Sequence, residues 1–224
     1  MFGGRISLKK NIHISFDVEG TLVTKDFSNY VWLKLLPSLY MEKNGLSFEE
    51  AYKYVLNKYR MIGDRMIEWY MLNYWIERFK LEVNPEALLL NAAKAVGVKP
   101  YNDAMDAIKE ASKLGRIILI TNSTRAFLKF LLSPFDAETF YKVFSVVDDF
   151  KLTKYDSKAY RKVLESLRAE PSDIFHIGDD FIQDYIVPKS IGIRSFYLSR
   201  NSQYPGGYKS LNEIVNTIAV MVGG

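Results

Sequence analysis

The chain has no cysteine among its 224 residues and only two histidines, His13 and His176. Disulfides, thiolate metal sites and cysteine nucleophiles are thereby excluded, and so is a histidine-rich metal centre. No apolar stretch is long enough for a membrane helix, and residues 1–11 carry no apolar run of signal-peptide length. The expectation is a soluble, cytoplasmic protein with no membrane partner. Basic clusters interleaved with stacking aromatics are lacking as well. The 30 Lys and Arg exceed the 26 Asp and Glu by four, but the lysines are dispersed on helical faces among acids. That pattern reads as solvated surface and argues against a nucleic-acid partner. The mild positive balance still suits small anionic ligands.

What is present divides the chain by period. Apolar residues make up 48% of it, enough for one large domain or for a core domain with an insert. Residues 11–23 read as a strand and a turn, and residues 26–96 as helix throughout. Ser47-Phe48-Glu49-Glu50 is a capping box, and Asn84-Pro85 is an N-cap followed by proline at the first helical position. Asp64 is expected to cap a helix running to Lys80, and Pro37 to kink or break the first helix of the region. The many tyrosines and tryptophans here are expected to pack between helices. From residue 101 onward helices alternate with short apolar runs. Strands are expected at 116–122, 143–147, 174–177 and 193–198, and helices at 103–114, 126–132, 157–168 and 211–221, with Gly115 a C-terminal cap. Such alternation argues a parallel sheet with right-handed crossovers.

The chemistry lies at strand ends. Ile12 to Phe16 runs into Asp17-Val18-Glu19-Gly20-Thr21-Leu22. Asp17 and Glu19 are two residues apart and lean to the same face of an extended chain. The second strand ends in Thr121-Asn122. The third is followed by Asp148-Asp149-Phe150-Lys151-Leu152-Thr153-Lys154. The fourth ends in Gly178-Asp179-Asp180-Phe181-Ile182-Gln183-Asp184. In a parallel sheet these ends share one side, where ligands of open α/β folds bind. Carboxylates, a hydroxyl and a lysine suit a hard cation with oxygen ligands, magnesium above all, beside a phosphate.

These four runs, in this order, resemble the haloacid dehalogenase superfamily. Its first motif, D-x-D-G-T-[LV], is matched by Asp17 to Leu22 with Glu19 in place of the second aspartate. Its second is matched by Thr121, its third by Lys154, and its fourth, G-D-x-x-x-x-D, by Gly178, Asp179 and Asp184. The resemblance implies a Rossmann-like α/β core over residues 1–25 and 98–224, with an inserted α-helical cap of the C1 type over 26–97. It implies a magnesium-dependent phosphomonoesterase acting on a small phosphorylated metabolite. Asp17 would be the nucleophile and Glu19 the acid and base. Thr121, Asn122 and Lys154 would bind phosphate, and Mg2+ would sit on Asp17, the Glu19 backbone carbonyl, Asp179 and Asp184. The enolase-phosphatase group shares the D-x-E-G-T form, whereas haloacid dehalogenases proper lack an acid at this position. A 2-haloacid dehalogenase, a phosphomutase and a non-catalytic binding protein are the alternatives.

Outside these motifs, Asp180 and Asp148 read as caps or supporting groups. His13 and His176 read as hydrogen-bonded core residues. Arg60 and Arg65 in the insert could meet a substrate anion, and read first as exposed helical arginines. Hinges are expected at 23–26 and 97–101. Oligomeric state is not legible.

Overall fold

A computed structural model describes residues 11–200 and 206–223. Its centre is a five-stranded, wholly parallel sheet: β1 (His13–Phe16), β2 (Arg116–Thr121), β3 (Lys142–Ser145), β4 (Ile174–Gly178) and β5 (Arg194–Tyr197), in the order β3-β2-β1-β4-β5. β1 pairs with β2 and β4 in parallel register, His13 opposite Arg116 on one side and Ile174 on the other. The chain order reverses between β1 and β4, which makes the carboxyl edge there a crevice.

The strands are apolar because both faces are covered. On β2, Ile117 and Leu119 join a core with Ile108, Ala111 and Ile214. Ile118 and Ile120 join a second core with Tyr160, Val163 and Ile174 on the opposite face. The period of two along one strand thus feeds two cores. The α/β architecture with an inserted α-helical region is the one the strand–helix alternation predicts.

Between β1 and β2 lie α1 (Asp26–Tyr30), α2 (Leu36–Asn44), α3 (Phe48–Ile62), α4 (Leu72–Arg78) and α5 (Pro85–Val96), followed by α6 (Ala104–Ser112). The Ser47 side chain accepts from Glu50 N–H while the Glu50 carboxylate accepts from Ser47 N–H, completing the capping box. Asn84 caps α5, accepting from Ala87 N–H at 3.0 Å. Trp75 is the largest fully buried side chain. It packs edge-on against Tyr59 at 4.6 Å and stacks on Phe79 at 5.5 Å, and its indole N–H donates to the Trp69 carbonyl. Most aromatics of this region do pack between helices, whereas Tyr54 is exposed.

Two local expectations are corrected, and a third is met in part. The first helix is interrupted next to Pro37: Val31–Leu35 is a π-helical turn between α1 and α2, and Pro37 falls in the first turn of α2, where a missing N–H costs little. Asp64 caps nothing. A 3₁₀ turn at Ile67–Tyr70 intervenes before α4, and the Asp64 carboxylate accepts instead from the Tyr155 hydroxyl at 2.6 Å. Gly115 is not in the left-handed region; a side chain there would press on the Ile12 carbonyl, 2.5 Å from the Cβ position, so it is small for strand contact.

The remaining helices are α7 (Arg125–Leu131), α8 (Val146–Phe150), α9 (Ser157–Leu167), α10 (Val187–Ser190) and α11 (Leu211–Gly223). The third strand ends at Ser145 rather than 147, because the Ser145 hydroxyl accepts from Asp148 N–H and starts α8 at once. A π-helical turn, Phe181–Ile186, follows β4. The two expected hinges lie side by side: Thr24 N–H donates to the Lys99 carbonyl at 2.8 Å and Tyr101 N–H to the Leu22 carbonyl at 2.9 Å. Among the described residues no helix is long and apolar enough to cross a membrane.

Candidate active site

Each acid at the carboxyl edge is delivered by a strand end. Asp17 follows β1 directly, and its N–H donates to the Ile177 carbonyl of β4 at 2.8 Å, which clamps the two central strands where the acid leaves the sheet. Asp179 follows β4. Asp184 lies in the π-helical turn, and its Oδ2 accepts from Asp180 N–H at 3.1 Å. Asp17, Asp179 and Asp184 each offer a ligand oxygen within 4.8 Å of the others.

Two glycines make that crowding possible. Gly20 has φ of +85°, and a Cβ there would collide with the Asp179 carboxylate and the Lys25 stem. A Cβ on Gly178 would collide with the Asp184 carboxyl group.

Lys154 is buried and donates from Nζ to Asp17 Oδ1 and to Asp184 Oδ1, both at 2.6 Å. Its placement depends on Asn122, whose Oδ1 accepts from Lys154 N–H at 2.9 Å. Asn122 Nδ2 donates to Gln183 Oε1 at 2.6 Å and to the Tyr70 hydroxyl at 3.0 Å, so one side chain ties three segments together. A polar ladder runs beneath Asp184. His176 Nε2 lies 3.0 Å from Asp184 Oδ1 and 3.1 Å from the Tyr160 hydroxyl, and Nδ1 lies 2.9 Å from the Ser15 hydroxyl. His176 is thus the hydrogen-bonded core histidine expected. His13 is not: it is buried against Tyr141, and neither ring nitrogen meets a hydrogen-bond partner among the described residues.

The electrostatics follow from three acids sharing too few cations. Burial raises Asp17 to about 7, helped by Asp184 and Asp179 and opposed by Lys154. Despite its burial, Asp184 is held well below the usual carboxylate range by Lys154 and by the His176 hydrogen bond. Lys154 is buried too, but Asp17 and Asp184 keep it firmly charged. Burial lowers His176, opposed by its hydrogen bond to Asp184. Asp179 is raised by burial and opposed by Lys25, whose Nζ lies 2.7 Å from Asp179 Oδ2.

Glu19 is raised by burial, while the hydroxyls of Ser28 and Ser123 and the charge of Lys25 pull it back down. Ser123 donates to Glu19 Oε2 at 2.8 Å. Thr121 is buried at the end of β2, and its hydroxyl accepts from Ser123 N–H at 3.1 Å. Asp180 is a local cap, accepting from Ile182 and Gln183 N–H. Asp148 accepts from Arg125 N–H at the start of α7, away from the carboxylate cluster.

All seven residues proposed from the motifs line one cavity of about 480 Å³: Asp17, Glu19, Thr121, Asn122, Lys154, Asp179 and Asp184. Its opposite wall comes from the insert, with Trp32, Leu56, Tyr59, Trp69 and Tyr70. Sequence reasoning missed Lys25, Ser28, Ser123 and Gln183, which also line it. Ser123 was the one within reach, two residues past Thr121. Nothing local in the sequence marks the other three.

The donor set is made of hard oxygens converging from three segments, which fits a divalent cation such as magnesium and does not fit a soft metal. A sheet of this order, an acid cluster at its carboxyl edge and a helical insert over it define a class of hydrolases. The chain belongs to the haloacid dehalogenase-like hydrolase family, whose model matches residues 13–192. It is 28% identical over 159 residues, 70% of each chain, to GMP/IMP nucleotidase YrfG of Escherichia coli (strain K12). Among solved structures it is similar to a HAD phosphatase from Thermococcus onnurineus, with a TM-score of 0.80, 22% identity, and 92% and 97% of the two chains covered. It is also similar to the L-2-haloacid dehalogenase of Xanthobacter autotrophicus, with a TM-score of 0.59, 16% identity, and 93% and 98% covered. These two likenesses concern the fold.

Proposed function

We propose that the protein is a magnesium-dependent phosphomonoesterase acting on small phosphorylated metabolites, with nucleoside 5′-monophosphates the leading class. Residues 26–97 serve as a C1-type cap over a core of 1–25 and 98–224. The observation that carries this reading is the convergence of Asp17, Asp179 and Asp184 within 4.8 Å on the floor of a cavity whose roof is aromatic. The nucleotidase relative supports the substrate class.

The Asp17 carboxylate attacks phosphorus and forms an aspartyl-phosphate as the bond from phosphorus to the leaving oxygen breaks. Glu19 gives its proton to that oxygen, and its raised pKa suits an acid that must start protonated. In the second step Glu19 takes a proton from water as the water oxygen attacks phosphorus. The acyl-phosphate P–O bond then breaks, returning Asp17 and releasing orthophosphate. Lys154 holds Asp17 in place and offsets charge on the transferring group. The Thr121 hydroxyl and the Asn122 backbone N–H contribute hydrogen bonds to its oxygens. Asp17, Asp179, Asp184 and the Glu19 carbonyl would hold the cation, which supplies charge neutralisation at the phosphate when bound. Cavity closure by the cap keeps bulk water out.

The test is turnover of p-nitrophenyl phosphate and a nucleotide panel with Mg2+, with chelator and with Asp17→Asn. Turnover that needs both the ion and Asp17 is expected. Halide release from a 2-haloacid in the presence of chelator, with no phosphatase turnover, would overturn the proposal.

A further inference from the structure

Among the described residues three cations line the cavity: Lys25, Lys154 and Arg60. Lys25 is paired with Asp179, and Lys154 with Asp17 and Asp184. Arg60 has no ion pair, hydrogen bond or ring contact among the described residues. It sits on α3 with Leu56 and Tyr59, and positions 56, 59 and 60 share one helix face, the face turned to the cavity. Arg65, the other arginine singled out in the sequence, lies instead over the Tyr155 ring at 5.1 Å and lines a separate cleft with Thr153 and Ser157.

The cavity therefore has two ends of different chemistry. The core end carries the acid cluster and Lys154, matched to a phosphoryl group. The insert end is lined by Trp32, Tyr59, Trp69 and Tyr70, with the exposed Arg60 beside them. At about 480 Å³ the space lies within the roughly 300–1,000 Å³ common for sites holding a whole small ligand. A sugar bisphosphate would satisfy the guanidinium but leave the aromatic wall facing a polar group. A purine ring satisfies both, since its flat face suits aromatic side chains. A guanidinium is a planar fork of donors only, so it pairs with two adjacent acceptors, such as the O6 and N7 edge of a 6-oxopurine. A 6-aminopurine turns an N–H donor toward the fork at one of those two positions.

We infer that Arg60 is a specificity-determining residue that reads the acceptor edge of a 6-oxopurine held against the aromatic wall. This rests on the phosphomonoesterase reading but concerns the leaving group alone. Arg60 is exposed on its helix, so its replacement leaves the core intact.

The experiment compares kcat/KM for inosine 5′-monophosphate and adenosine 5′-monophosphate in wild type, Arg60→Met and Arg60→Lys, with p-nitrophenyl phosphate as a ring-independent reference. Wild type is expected to favour the 6-oxo nucleotide. Arg60→Met is expected to bring the ratio down about 10- to 100-fold, through KM rather than kcat. Arg60→Lys keeps the charge without the fork and is expected to recover little of the ratio. Equal loss on both nucleotides, no loss on either, or preference for a sugar bisphosphate would overturn the inference. If wild type fails to turn over even p-nitrophenyl phosphate, the phosphatase reading falls. Calorimetric titration with inosine 5′-monophosphate then decides the role of Arg60: binding at least tenfold weaker in Arg60→Met supports it, and equal or absent binding refutes it.

Discussion

Lys25 Nζ lies 2.7 Å from Asp179 Oδ2, so a lysine at the start of the helical insert is bonded to an acid of the candidate metal cluster. A cation bound on Asp179 must share that carboxylate with Lys25 or displace it. Lys25 is half-exposed, so the pair is worth only about 0–1 kcal/mol. Lys25→Met is expected to tighten Mg2+ or Mn2+ binding by about two- to fivefold, the upper part of that range of energy. Calorimetric titration of the metal-free protein reads this directly. Unchanged or weaker binding would show that Lys25 does not compete.

Asp17 is raised to about 7 by burial in the metal-free protein. A carboxyl with a raised folded pKa binds a proton that the unfolded chain has already lost, so unfolding free energy falls as pH rises from about 4 to about 7. Asp17→Asn removes that contribution. The variant is expected to be inactive, and its thermal midpoint is expected to gain on wild type between pH 5 and pH 8 in chelator. A constant difference across that range would contradict the assignment.

Glu19 is proposed to protonate the leaving oxygen, which matters in proportion to the basicity of that oxygen. Glu19→Gln is expected to slow hydrolysis of nucleoside monophosphates by about 10²- to 10⁴-fold. Nitrophenolate leaves well without a proton, so p-nitrophenyl phosphate is expected to lose much less in the first step. Single-turnover rates on the two substrates make the comparison, and equal losses would assign Glu19 a different task.

Trp75 is fully buried among Tyr59, Tyr74 and Phe79. Trp75→Ala is expected to cost about 3–5 kcal/mol through lost contact and a residual cavity. A drop of about 6–20 °C in the thermal midpoint follows from that cost. Calorimetry would show it, and a shift of only a degree or two would mean that the helices close over the gap.

The sheet and the motif residues were legible because each functional group sits at the end of a short apolar run, and parallel strands bring such ends to one edge. Asp17, Thr121 and Asp179 are of that kind. The misreadings share another cause. At Asp64 and Val146 local signals were correct about a residue and wrong about its neighbours: Tyr155 took the aspartate, and Ser145 started a helix early. Lys25 and Gln183 were invisible for a further reason. Their partners lie 154 and 61 residues away, and no period or spacing encodes a contact of that kind.

Gly20 and Gly178 each leave room for one carboxylate of the cluster, and neither touches the reaction. Replacing either with alanine would therefore mimic the loss of an aspartate with every aspartate still in place. Grafting the acids onto another parallel sheet would give a working copy only if the two bare α-carbons travelled with them.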